Sequence, residues 1–166
     1  MSNRNNKFQF IASNLASKST IKNKHGSIIT RGNKIYAIGY NNPRTKFLKK
    51  YDYCQHAEMA AISQFINKYI KCKSNKFSRN KYKKIYSVIG NKEVCDHYNL
   101  KKFTVWCVRL SKSNSKKNLM SAPCLICLKR MTNLGFGKIA FSNNEGNIEI
   151  HKLNNYNTKH LSSAYR

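Results

Sequence analysis

Apolar positions along this chain switch between two periods in alternating blocks. From Gln9 to Lys18, Phe10, Ile11, Leu15 and Ala16 recur at helical spacing, which predicts a first helix. Ser27 to Arg31 and Lys34 to Tyr40 are short runs rich in β-branched and aromatic residues. Gly32-Asn33 between them supplies the left-handed backbone of a tight turn, so the pair reads as a hairpin. Asn42 to Gln55 reads as a loop. A second helix is predicted from about His56 to Ile70, with Met59, Ile62, Phe65, Ile66 and Tyr69 on one core-facing stripe.

Phe103 to Leu110 holds Val105, Trp106, Cys107 and Val108 in one apolar block, the pattern of a central strand buried on both faces. Ser111 to Asn118 is polar and reads as a loop. A third helix is expected from about Pro123 to Asn133, with Gly135 stopping it and Pro123 in its first turn, where a missing N–H leaves nothing unpaired. Lys138 to Ser142 and Asn147 to Leu153 read as strands. The residues between them, Asn143-Asn144-Glu145-Gly146, are too few for a parallel crossover and force an antiparallel hairpin. The tail from Asn154 to Arg166 is polar, with Leu161 as a weak anchor. No internal repeat is visible.

These elements predict a three-layer α/β/α domain: a mixed sheet of about five strands, an antiparallel last hairpin, and the second and third helices on one face. The 166 residues fit one such domain. No stretch approaches the ~20 apolar residues of a membrane span, and the start, Met1 to Lys7, leads into no signal-like apolar run. The expected location is therefore the cytoplasm.

Chemistry enters with His56-Ala57-Glu58 and, far along the chain, Ser121-Ala122-Pro123-Cys124-Leu125-Ile126-Cys127. One histidine and two thiolates fill three positions of a tetrahedral zinc and leave the fourth open, which distinguishes a catalytic site from a closed structural one. Cys124 and Cys127, three apart at a helix start, present both sulfurs to one point, and the helix N-terminus favours their thiolate forms. Glu58, two residues from a ligand, is placed to shuttle protons without binding metal.

This pairing of H-x-E with P-C-x-x-C resembles the signature of zinc-dependent nucleobase deaminases. The resemblance extends to Asn23 to Ile29 and Gly32 to Asn41, similar to the opening hairpin of the cytidine and deoxycytidylate deaminase superfamily, and to Gly137 to Ser142 after the second ligand helix. It implies zinc at His56, Cys124 and Cys127, Glu58 as catalytic acid and base, and substrate contacts from Asn41, with Asn42 beside it, and from Ala57. It also implies assembly as dimers or larger. Against that family's compact form, residues 71–102 are an insertion. Ten lysines and arginines interleave there with Phe77, Tyr82, Tyr86 and Tyr98, a mixture suited to single-stranded nucleic acid and equally to a solvated excursion. Cys72, Cys95 and His97, with Cys54 or another histidine, form a second candidate zinc set that would tether it. Cys107 reads as a small core residue. Free cysteines beside a thiolate zinc site fit a reducing compartment.

The charge is extreme, with 32 basic residues against 6 acidic ones giving +26. Such a balance points to a polyanionic partner. Yet 25 of the 32 are lysine and only 7 arginine. That skew, with abundant asparagine, also follows from A-rich coding of the kind found in large DNA viruses. Three functions fit. The first is hydrolytic deamination of cytosine in a small nucleoside or nucleotide, favoured by the antiparallel ending. The second is deamination of cytosine or adenine in RNA or single-stranded DNA. The third is nucleic-acid binding around a structural zinc, without turnover.

Overall fold

The structure, a computed structural model, describes residues 3–44, 46–47, 50–51, 54–70, 99–111 and 118–162. Its framework is a six-stranded sheet in the order β2 (Lys34–Tyr40), β1 (His25–Arg31), β5 (Thr104–Leu110), β7 (Lys138–Ser142), β8 (Ile148–Lys152). A short β6 (Asn118–Leu119) pairs with β5. β5 and β7 run parallel while the remaining pairings are antiparallel, including the expected β7–β8 hairpin. A separate two-stranded ribbon joins β3 (Lys46–Phe47) and β4 (Lys50–Tyr51).

Alternation along the central strands assigns the layers. Ile28, Trp106 and Ala140 pack with Phe8 and Leu15 of α1 (Asn3–Ser17) on one face. Their immediate neighbours Ile29, Val105 and Ile139 turn to the other face and pack with α2 (Ala57–Phe65) and α3 (Leu125–Asn133). This two-sided burial is why β5 reads as an unbroken apolar block. Phe8 meets Trp106 edge-on at 5.1 Å, and the indole N–H donates to Thr30 Oγ1 at 2.8 Å, so the ring is buried with its polar edge satisfied. On the opposite face, a Cβ at Gly39 would lie 2.3 Å from the Ala61 backbone nitrogen. Glycine there lets α2 sit directly against β2, which fixes how its first turn overhangs the end of the sheet.

Several boundaries differ from the sequence reading. The first helix starts at Asn3, not Gln9: its opening turns are polar, and what holds them is buried Phe8 together with Gln9 Nε2, which donates to the Gly146 carbonyl at 2.6 Å. The loop from Asn42 to Gln55 contains the β3–β4 ribbon and is closed by an Asn42–Gln55 bridge. The second helix is α-helical through Phe65 and then widens into a π turn at Ile66–Ile70. Met59, Ile62, Phe65 and Ile66 are buried as the stripe predicted; the Tyr69 side chain lies outside the described set. Pro123 does not open the third helix. Cys124 is its N-cap, and Pro123 precedes it in the extended approach. Leu100, at the end of the insertion, is 3% exposed in a short 3-10 turn and belongs to the α2–α3 core. Residues 71–98 of the insertion, with Phe77, Tyr82, Tyr86 and Tyr98 and the second zinc set's Cys72, Cys95 and His97, lie outside the described residues. Among the described residues no helix is long and apolar enough to cross a membrane.

Candidate active site

Two helix starts meet at the end of the sheet where β2, β5 and β7 finish and β1 and β8 begin. His56 is the N-cap of α2 with φ −67° and ψ 155°; Cys124 is the N-cap of α3 with φ −70° and ψ 160°. Extended caps leave the chain just before each helix turns, and that aims both side chains at the gap between the helices. Cys127, one turn into α3, completes the set. Nδ1 of His56 lies 3.6 Å from the Cys124 sulfur and 3.2 Å from that of Cys127, and all three ligand atoms fall within 4.8 Å of one another.

The donor set fits zinc. Zinc–sulfur and zinc–nitrogen bonds of about 2.3 and 2.0 Å at tetrahedral angles put sulfur and nitrogen about 3.5 Å apart, which the two separations bracket. Two soft sulfurs with one imidazole exclude magnesium and calcium, which prefer oxygen. Cys124 already behaves as a thiolate: its contact with the Cys127 thiol, then with His56 and the Cys127 amide, holds it down to about 4 despite burial. Cys127, paired to that sulfur and wholly enclosed, is pushed up instead. Zinc held here would keep both sulfurs as thiolates and displace the thiol proton.

Ser121 locks the approach to α3. Its Oγ donates to the Cys107 carbonyl at 2.7 Å and accepts the Ser142 amide at 2.9 Å, while its own amide donates to the Ser142 carbonyl at 2.8 Å. One buried serine thus ties the ends of β5 and β7 together three residues before the first cysteine ligand.

Glu58 sits in the first turn of α2, 5% exposed. Burial raises its carboxyl above the ordinary range, against the pull of His56. Burial foremost, and then the Glu58 charge, raise the Cys107 thiol as well. Ala57 is fully buried at the first position of α2. Asn41 is 7% exposed; its Oδ1 accepts the His25 amide at 2.8 Å and its Nδ2 donates to the Asn23 carbonyl at 2.7 Å. Asn42 is turned to the loop, donating to the Tyr40 carbonyl and Gln55 Oε1 and accepting the Arg44 amide. Both asparagine side chains are thus engaged with protein groups: Asn41 with the start of β1 and the residues before it, Asn42 with the loop.

Two residues of this region are not flagged by the sequence reading. His25 opens β1 directly opposite Arg109 of β5. Burial lowers the His25 imidazole to about 4, against the Asn23 carbonyl that accepts from its Nδ1; the charges of Arg109 and His56 push the same way as burial. The imidazole is therefore neutral. The available signal was Arg109 itself, a lone cation closing the otherwise apolar run Thr104–Leu110.

A mixed sheet with α2 and α3 bringing one histidine, two cysteines and a buried glutamate to its edge defines the zinc-dependent deaminase class. The family described as the cytidine and deoxycytidylate deaminase zinc-binding region matches residues 2–143, and the chain belongs to that family. Among solved structures, a cytidine deaminase from Burkholderia pseudomallei is similar over 92% of this chain and 94% of its own, with 15% identity and a TM-score of 0.52. The dCMP deaminase of cyanophage S-TIM5 in apo form shares 19% identity over 88% of this chain and 89% of its own, with a TM-score of 0.49. No curated protein sequence matches.

Proposed function

We propose that this family member deaminates cytosine to uracil in a small nucleoside or nucleotide, as one catalytic unit built on His56, Cys124, Cys127 and Glu58. Zinc held by the three ligands would supply a Lewis acid that brings the pKa of water down to about 7. Glu58 then moves the protons. It takes one from the attacking water and delivers it to N3 of the ring as the oxygen adds at C4, then takes the second from the new C4 hydroxyl, which becomes the carbonyl, and gives it to the departing amine. The C4–N bond breaks, ammonia leaves, and one water is consumed. A carboxyl held above its usual range by burial is suited to giving a proton back as well as taking it. Ala57 lines the base between ligand and acid; Asn41 and Asn42 hold the rim.

The observation that carries the small-substrate reading is the β7–β8 hairpin, which returns antiparallel through residues 143–147 with no intervening helix. Deaminases of the superfamily that act on transfer RNA or polynucleotides usually carry a helix between these strands, whereas free cytidine deaminases resemble the antiparallel arrangement, and the resemblance therefore favours a small cytosine substrate. The +26 charge keeps a polynucleotide substrate as the second reading. A panel of cytidine, deoxycytidine, CMP, dCMP, adenosine and short single-stranded DNA and RNA, assayed at two salt concentrations, separates them. Turnover confined to small cytosine compounds supports the proposal. Turnover confined to oligonucleotides, with affinity falling at about −0.7 in log–log slope per neutralised phosphate, overturns it.

A further inference from the structure

The β register aligns a row of side chains across the metal-bearing face. Ile29 and Val105 point to that face, so alternation places His25 and Ser27 of β1, and Cys107 and Arg109 of β5, on it as well. Asn41 joins the row through its amide, which donates to the His25 carbonyl at 3.1 Å. The outermost row thus reads Asn41, His25, Arg109, and the next row inward holds Ser27 beside Cys107.

Two polar atoms in these rows are buried without a hydrogen-bond partner among the described residues: Arg109 Nε and Ser27 Oγ. Folded proteins satisfy nearly all such groups, so an orphan pair beside a metal centre marks where a ligand's polar atoms belong. Arg109 is otherwise tethered only by Nη2, which donates to Asn23 Oδ1 at 3.2 Å, and no carboxylate pairs with it among the described residues. A guanidinium with Nε unpartnered and no carboxylate beside it still has donors to offer a phosphate. Asn41 and Arg109 stand two strands apart, about 10 Å, a span that a single mononucleotide can bridge end to end.

We propose that Arg109 is the specificity-determining residue of this site and that it holds the 5′-monophosphate of the substrate, making the substrate a nucleotide and not a nucleoside. This rests on the cytosine-deaminase reading above. Ser27 Oγ meets a polar atom of the same ligand nearer the base.

The shared chemistry is a phosphate, which a mononucleotide or a phosphodiester chain can present. The test uses zinc-loaded full chain and calorimetric binding of the products dUMP and deoxyuridine and of a short single-stranded oligonucleotide containing deoxyuridine. Wild type should bind dUMP at least about 10-fold tighter than deoxyuridine, the worth of a charge-assisted hydrogen bond. Arg109→Gln should collapse that ratio toward one, and Arg109→Lys should restore part of it; zinc content checks that the centre is intact. In turnover, the loss should appear in KM for dCMP. Equal wild-type affinity for dUMP and deoxyuridine overturns the proposal, as does an Arg109→Gln variant that weakens only the oligonucleotide. Deamination of deoxycytidine in either of those cases leaves the parent reading standing. Arg109-dependent dUMP selectivity without turnover of any cytosine compound would sink the parent reading alone.

Discussion

The two helix starts that carry the ligands have nearly superimposable caps and are built on different physics. In α3 the ligand is also the cap: the Cys124 sulfur accepts the Cys127 amide, at 3.5 Å. In α2 the His56 side chain makes no cap hydrogen bond, and the start of the helix is fixed by packing, with Gly39 pressed against the Ala61 backbone. Metal affinity and helix formation are therefore coupled at Cys124 and separable at His56. A single site can thus take its rigidity from covalent neighbours on one side and from shape on the other.

The largest effects should come from the ligands themselves. Cys124→Ala and His56→Ala should both lose stoichiometric zinc by metal analysis and, with it, turnover. The comparison predicts that they part company in the metal-free state: with chelator present, Cys124→Ala should unfold at lower denaturant, by about 1 kcal/mol, because a helix cap is gone. Cys124→Ser, a good cap and a poor zinc ligand, should recover that stability and not the metal. Equal chelated stabilities for all three variants would show that the cap contributes nothing.

Glu58→Gln comes next. Turnover should fall by about 10²–10⁴-fold with zinc retained. The folded carboxyl titrates above its unfolded value, so at pH above the unfolded value the native state carries a penalty that grows with pH. The glutamine removes it, and the chelated variant should be more stable than wild type at pH 7 and no different at pH 3. Loss of zinc in this variant would make Glu58 a ligand.

Gly39→Ala tests the packing side. A methyl group 2.3 Å from the Ala61 nitrogen has to push α2 off the strand, at a cost of about 1–3 kcal/mol in unfolding free energy and with weakened zinc affinity, although no ligand is touched. The smallest effect belongs to His25. Its imidazole titrates near 4 in the folded protein against 6.5 when unfolded, so protons bind the unfolded chain first as pH falls through that window. Stability should drop between those values and level off below them, by on the order of 1–2 kcal/mol once solvent screening is allowed for. His25→Asn should show a shallower slope in the same window; parallel wild-type and variant curves would remove His25 as the cause.

Local pattern was enough for much of this architecture. The Gly32-Asn33 hairpin, the apolar block of β5, the short β7–β8 turn and the Cys-x-x-Cys spacing each encode their geometry within a few neighbouring residues. The start of α1 was not readable, because Asn3 to Lys7 offer no apolar period and the turn is held by Phe8 and Gln9, whose partners Trp106 and Gly146 lie far along the chain. Pro123 misled for a related reason. A proline suits both the first turn of a helix and the extended approach to it, and the cap at Cys124 decides between them. Hardest to see was the row of Asn41, His25 and Arg109. It exists only through strand pairing, and no local motif announces that a histidine and an arginine more than 80 positions apart will stand side by side.

The serine clip has a consequence for how the protein opens. Ser121 and Ser142 bond to each other and to the backbone of β5 and involve no ligand atom. The Cys127 amide, by contrast, is protected only by a sulfur. In deuterated solvent the two belong to different clocks: chelation should speed exchange at Cys127 and leave the serine amides as slow as the sheet. The centre can then release and recapture its metal through a flicker of one helical turn, above a floor that stays closed.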